Sequence, residues 1–177
     1  LGMGGIGLET AKRGLGFDMK VIYHSRTRKP ELEKKYGFKY VSLKRIFTHS
    51  DFLSVHVPLT PETNKFIGEK LLRTMKQSAI LVNLSRGGVV DTDALHKALT
   101  KGWISGAGLD VFDPEPVPSD HPILGLDNVV VLPHIGSASN QSRREMHLLA
   151  ARNLISGLNG ERLEECANPE VYKSLGI

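Results

Sequence analysis

Leu1-Gly2-Met3-Gly4-Gly5-Ile6-Gly7 opens the chain, and the reading of these seven residues decides the fold. Gly2-x-Gly4-x-x-Gly7 has the spacing of a turn that carries a strand into a helix and leaves backbone N–H groups free for a phosphate, the dinucleotide-binding fingerprint. In that reading Gly2 allows the tight turn, Gly4 lets the backbone approach a pyrophosphate, and Gly7 lets the helix pack closely. Gly5 and Ile6 complete the cradle. Only Leu1 precedes the motif, so the strand that should lead into it is expected to be missing. An ordinary glycine-rich loop fits the same seven residues, and the rest of the chain has to discriminate.

Outward from the glycines the pattern alternates. Residues 8–17 carry Leu8, Ala11 and Leu15 at helical spacing, and 20–24 read as a short strand. A helix is expected over 30–36, with Pro30 in its first turn. After a brief strand at 40–41, Ser42 caps a short helix over 43–47. Buried strands follow at 51–57, ended by Pro58, and at 79–84. Asp91 then caps a helix over 92–100, further strands lie at 104–110 and 129–132, and a long helix covers 139–158. The tail 166–177 reads as irregular or weakly helical. Strands separated by helices of this length specify an α/β fold, a doubly wound parallel Rossmann sheet lacking its first strand. Residues 1–138 form the nucleotide-binding domain and 139–177 a helix and tail. Ligands of such sheets bind beyond the carboxyl ends of the strands.

The 177 residues, 40% apolar and 24% charged, suit one globular domain with an appendage. No apolar run reaches the roughly 20 residues of a membrane span. The single cysteine, Cys166, excludes an internal disulfide and fits a reducing compartment, so a cytoplasmic protein is expected. The net charge of +4 is not gathered into a long basic run and only 6% of residues are aromatic, which argues against nucleic acid. No metal site is expected, because no Cys, His or carboxylate cluster has ligand spacing.

About 20 residues beyond the fingerprint, a sheet of this kind that binds NAD places an acidic residue on the ribose 2′-hydroxyl. Here the stretch is His24-Ser25-Arg26-Thr27-Arg28-Lys29. Arg26 and Arg28 would bind a 2′-phosphate through charge-assisted bonds, with Ser25 adding a hydroxyl, so NADPH is expected over NADH.

Three further motifs fall at successive strand ends: Asn83-Leu-Ser-Arg-Gly-Gly-Val-Val-Asp91, Gly108-Leu-Asp-Val-Phe-Asp-Pro-Glu-Pro116 and Leu132-Pro-His-Ile-Gly-Ser-Ala138. Together with the N-terminal glycines they resemble the D-isomer-specific 2-hydroxyacid dehydrogenases over residues 2–160. The basic turn and Asp-Pro-Glu-Pro resemble the glyoxylate/hydroxypyruvate reductase branch. The resemblance implies a catalytic set of Arg86, Glu115 and His134. Arg86 would hold the 2-oxo acid and polarise its carbonyl, and His134 would donate a proton to the carbonyl oxygen. Glu115 would pair with His134 and favour its imidazolium. It also implies cofactor contacts at Pro58 and Thr63, at Leu84 and Asp110 beside the nicotinamide, and at Gly136 and Ser137. Taken singly, Arg86 reads as a surface residue, Glu115 as a turn residue and His134 as a satisfied core group near a strand end. Their joint placement suits carbonyl reduction, which needs a proton donor near neutral pH and a cation facing developing negative charge.

Subunits of that family carry a substrate domain built from N-terminal residues, and the helix over 139–158 would return to it. The resemblance also implies a homodimer acting on a small 2-oxo acid. Glu115 stands where the family's formate dehydrogenases have Gln. A dinucleotide-sensing transcriptional corepressor shares the fold and the catalytic set, and a truncated, inactive paralogue would retain the same motifs.

Overall fold

A computed structural model describes residues 1–176, which divide into two compact units, Leu1–His134 and a second from Ile135 onward. The division falls a few residues before the boundary drawn at 138/139.

In the first unit, β3 (Phe52–Val55), β4 (Ile80–Asn83), β5 (Gly106–Leu109) and β6 (Val129–Val131) form a four-stranded parallel sheet in that order. Val55 sits opposite Asn83, and Asn83 opposite Leu109. β1 (Ile22–Tyr23) and β2 (Lys39–Tyr40) form a separate parallel pair. Between β1 and β3 the sheet is interrupted. Leu1 and Gly2 make a single rung there: Gly2 N donates to His24 O at 2.8 Å, the Leu1 amine to Ser54 O at 2.8 Å, and His56 N to Leu1 O at 2.7 Å. Below that rung lies a cavity of about 600 Å³ lined by Ala11, Ile22, Tyr23, Leu53 and Ser54 among others.

Helix ends follow the local chemistry. Ser42 accepts from Arg45 N to start α3 (Leu43–His49), and Asp91 accepts from Ala94 N to start α5 (Thr92–Thr100). α2 (Pro30–Tyr36) begins on its proline and stops at Gly37, whose φ of +74° is the left-handed cap that favours glycine. α1 (Gly5–Leu15) starts three residues earlier than the sequence pattern suggests, because Gly5–Gly7 are helical rather than loop. The short α4 (Glu69–Leu72) carries no side-chain cap and was not legible.

Two apolar cores result. The larger joins Phe47, Leu53, Val55, Leu81, Leu95, Ile104 and Ile123 around the four-stranded sheet. The smaller gathers Met3, Ala11, Tyr23 and Phe38 between α1 and the β1–β2 pair. In the second unit α6 (Asn140–Leu158) is capped by Ser139, which accepts from Ser142 N, and Arg152 is paired with Glu164. α7 (Val171–Leu175) is the helical part of the expected tail, whose last residue, 177, lies outside the described residues. Among the described residues no helix is long and apolar enough to cross a membrane.

Burial pushes the His56 imidazole down from 6.5 to about 4.

Candidate active site

The cradle comes first along the chain. Gly2 has φ +90°, and a Cβ there would stand 2.7 Å from His56 O, so both backbone and space require glycine. At Gly7 a Cβ would collide with Gly2 O. Gly7 is thus demanded by the turn itself more than by helix–sheet packing. Gly4 and Gly5 differ, since a Cβ on either meets no atom within 4 Å. The space over them is open, and the first-turn N–H groups of α1, at Gly5, Ile6 and Gly7, have no intrahelical acceptor. An anion fits that space.

The basic turn after β1 is partly committed. Arg28 donates from Nε and Nη2 to both oxygens of Glu33 at 2.8 and 2.7 Å. Tyr23 donates its hydroxyl to the same carboxylate and accepts from Lys29 N. The Arg28 guanidinium and the Tyr23 hydroxyl hold Glu33 down at about 2, even against partial desolvation, so it is ionised throughout the neutral range. Ser25 Oγ donates to Thr27 O at 2.6 Å, closing the turn. The Thr60 hydroxyl holds the Glu62 carboxylate below its usual range, and exposed Arg26 is near enough to add a smaller push in the same direction. The β1 turn and the loop after β3 therefore face each other. In that loop Thr63 Oγ1 donates to Pro58 O at 2.7 Å, so these two residues meet, as a closed turn.

At the ends of β4, β5 and β6 the residues converge further. Asp110 N donates to Asn83 O at 3.1 Å, tying the ends of β4 and β5. Arg86 leaves β4 in an extended conformation, its Nη1 donating to Ser85 O at 2.7 Å. Gly87 then packs against the Phe112 peptide so closely that a Cβ would overlap the Phe112 carbonyl, and Gly88 abuts Asp113 and Leu59. The arginine loop is thereby fastened to the segment that carries Glu115. Glu115 Oε1 meets His134 Nδ1 at 2.5 Å, while Glu115 Oε2 accepts from Phe112 N at 3.4 Å. His134 has φ +53°, a left-handed backbone unusual for a non-glycine residue and characteristic of constrained sites. Asp110, Phe112, Glu115, Val131, Leu132 and His134 line a cleft of about 460 Å³. Leu84 is exposed at the end of β4. Gly136 and Ser137 belong to the second unit.

The structure therefore brings His134, Glu115 and Asp110 to one cleft, with the Arg86 loop packed onto the same segment. It gives Arg28 a partner, Glu33, that the sequence reading overlooked. It also adds Asn83, buried at the end of β4, whose side-chain amide holds the arginine loop. A polar residue alternating with buried Leu81 is the sequence signal for it.

Residues 1–136 match the family described as D-isomer specific 2-hydroxyacid dehydrogenase, NAD binding domain. A glyoxylate reductase of Korarchaeum cryptofilum is 51% identical over 98% of this chain and 52% of its own length. A glyoxylate/hydroxypyruvate reductase B of Pectobacterium carotovorum is also 51% identical, over 98% of this chain and 54% of its own. The crystal structure of an NADPH-dependent glyoxylate/hydroxypyruvate reductase from Sinorhizobium meliloti, in complex with NADP and malonate, superposes with a TM-score of 0.84. It is 38% identical and is matched over 96% of this chain and 52% of that one. The chain spans about half the length of these relatives. With the glycine cradle and the three strand-end motifs in place, it belongs to the D-isomer specific 2-hydroxyacid dehydrogenases, as the NAD-binding domain of that family.

Proposed function

We propose that the chain is the cofactor half of an NADPH-dependent reductase that converts a small 2-oxo acid, glyoxylate or hydroxypyruvate, to the D-2-hydroxy acid. The observation that carries this reading is the Glu115–His134 pair in a cleft at the strand ends, fastened to the arginine loop. The open space over Gly4 and Gly5 and the unpaired amides of α1 suit a pyrophosphate, and exposed Arg26 suits a 2′-phosphate.

A bound dihydronicotinamide supplies the hydride that adds to the carbonyl carbon. As the carbonyl π bond breaks, His134 gives its Nε2 proton to the oxygen. Glu115 on Nδ1 fixes the ring so that Nε2 is the nitrogen left for substrate. Arg86 spends one donor on Ser85 O and has four N–H groups left for the substrate's carboxylate and carbonyl oxygen. Exposed Leu84 offers an apolar wall, and Asp110, Pro58 and Thr63 complete the cofactor contacts of this unit.

Titration of the chain with NADPH and NADH, followed by nucleotide fluorescence, tests the cofactor part. NADPH is expected to bind about tenfold or more tightly, and Arg26→Asp to reverse that order, since it replaces a phosphate-binding cation with a repelling anion. Equal affinities in the wild type, or an unchanged preference in Arg26→Asp, would remove Arg26 as the phosphate ligand.

A further inference from the structure

Three polar residues are buried in this chain: Ser50, Asn83 and Asp110, among the described residues. The Asn83 side chain serves the loop that follows it. It occupies the last position of β4, on the face where Leu81 enters the core, a place where an apolar residue would cost nothing to bury. Its carboxamide makes three bonds to the two residues ahead. Oδ1 accepts from Ser85 N at 3.0 Å and from Ser85 Oγ at 2.9 Å, and Nδ2 donates to Arg86 O at 3.0 Å. Only one orientation of the amide satisfies both a backbone donor and a backbone carbonyl, so the assignment of oxygen and nitrogen follows from the partners. Leucine would fill the space equally but leave Ser85 N without this acceptor and Arg86 O with only the longer bond from Val89 N at 3.3 Å.

We propose that Asn83 is the positioning residue of Arg86: it touches neither substrate nor cofactor, and acts by fixing the Ser85–Arg86 backbone from which the guanidinium projects. The proposal rests on the reading of Arg86 as the substrate anchor. The arrangement brackets Arg86 on both sides, with Asn83 holding its carbonyl from below and Gly87 seated against the Phe112 peptide beyond it. Freed from Asn83, Arg86 O keeps only the longer bond from Val89 N, and its peptide can rotate while the β4–β5 ladder stays intact. The loss would therefore fall on the side chain's aim rather than on the sheet.

The sharpest probe is Asn83→Asp, which keeps size and both acceptor bonds to Ser85 but sets a carboxylate against the Arg86 carbonyl. In the 177-residue chain, amide hydrogen exchange at Val89, whose N–H is bonded to Arg86 O at 3.3 Å, should speed up about tenfold or more, with the exchange of β4 and β5 unchanged. Kinetics belong to a chimera in which residues 1–177 replace the matching half of a full-length relative. There Asn83→Asp should raise KM for glyoxylate about tenfold and leave KM for NADPH within about twofold. In an Arg86→Ala background it should have no further effect, because a positioning residue has nothing left to position. Equal losses in both backgrounds, or unchanged exchange at Val89, would overturn the proposal. A chimera folded and binding NADPH but inert toward every 2-oxo acid would sink the functional reading instead, while exchange still decides whether Asn83 holds the loop. Should Asn83→Asp fail to fold, Ser85→Ala removes one of the three bonds without touching the core. It should shift KM for glyoxylate in the same direction by a smaller factor, again only while Arg86 is present.

Discussion

In the chimera, His134→Asn is expected to lower turnover of glyoxylate with NADPH by about 10²–10⁴-fold, the usual worth of a positioned general acid. Asparagine is the informative replacement. His134 has φ +53°, and asparagine is the non-glycine residue most at ease there, so the backbone is preserved while the proton donor is lost. Alanine would mix the chemical loss with a backbone penalty. NADPH affinity and melting temperature should stay close to those of the parent. Glu115→Gln should give a smaller loss, since it weakens the hold on Nδ1 but leaves Nε2 in place. Turnover retained in His134→Asn would show that the proton comes from elsewhere.

The second large effect is structural. Gly87→Ala should destabilise the chain by about 3 kcal/mol or more, lowering the melting temperature by roughly 10 °C. The new Cβ would overlap the Phe112 carbonyl, and a main-chain peptide cannot swing aside as a side chain can. Phe112 is buried and leads directly to Glu115, so any relief separates the arginine loop from the Glu115–His134 pair. Gly108→Ala is the control, because a Cβ there meets only the Val82 methyls, at 3.9 Å. Similar melting temperatures for the two variants would show that the Gly87–Phe112 contact is slack.

The contrast between these glycines shows how far a sequence can be read. Periodicity and caps were sufficient for α2 and α5, both found at the expected residues, and for the starts at Ser42 and Ser139. These signals are local: a proline at the first position, or a hydroxyl or carboxylate on the third amide. The strands lie where expected, five of them shorter than the pattern suggests and β2 of the same length but one residue earlier. β1 has two residues because it is paired on one side only, and pairing is a tertiary property. The helical pattern starts at Leu8 because Gly5, Ile6 and Gly7 carry no apolar periodicity, yet α1 begins at Gly5, directly after the turn. Arg28 looked like a free cation beside Arg26. Its partner sits five residues on, across the start of α2, and only the bend of the chain brings Glu33 to it. The strand-end motifs named Arg86, Glu115 and His134. The parts that hold them, Asn83 and the Phe112 peptide, act through contacts that no spacing rule encodes.

The two separate cores have a consequence for cofactor binding. Met3, Ala11, Tyr23 and Phe38 share no buried residue with the cluster around the four-stranded sheet, and one rung at Leu1 and Gly2 links the strands on either side. On the proposed reading the nucleotide lies across both cores, its 2′-phosphate on the small one and its nicotinamide on the large one. It is then a staple as well as a reactant, because a ligand that touches both clusters favours the arrangement in which they keep their register.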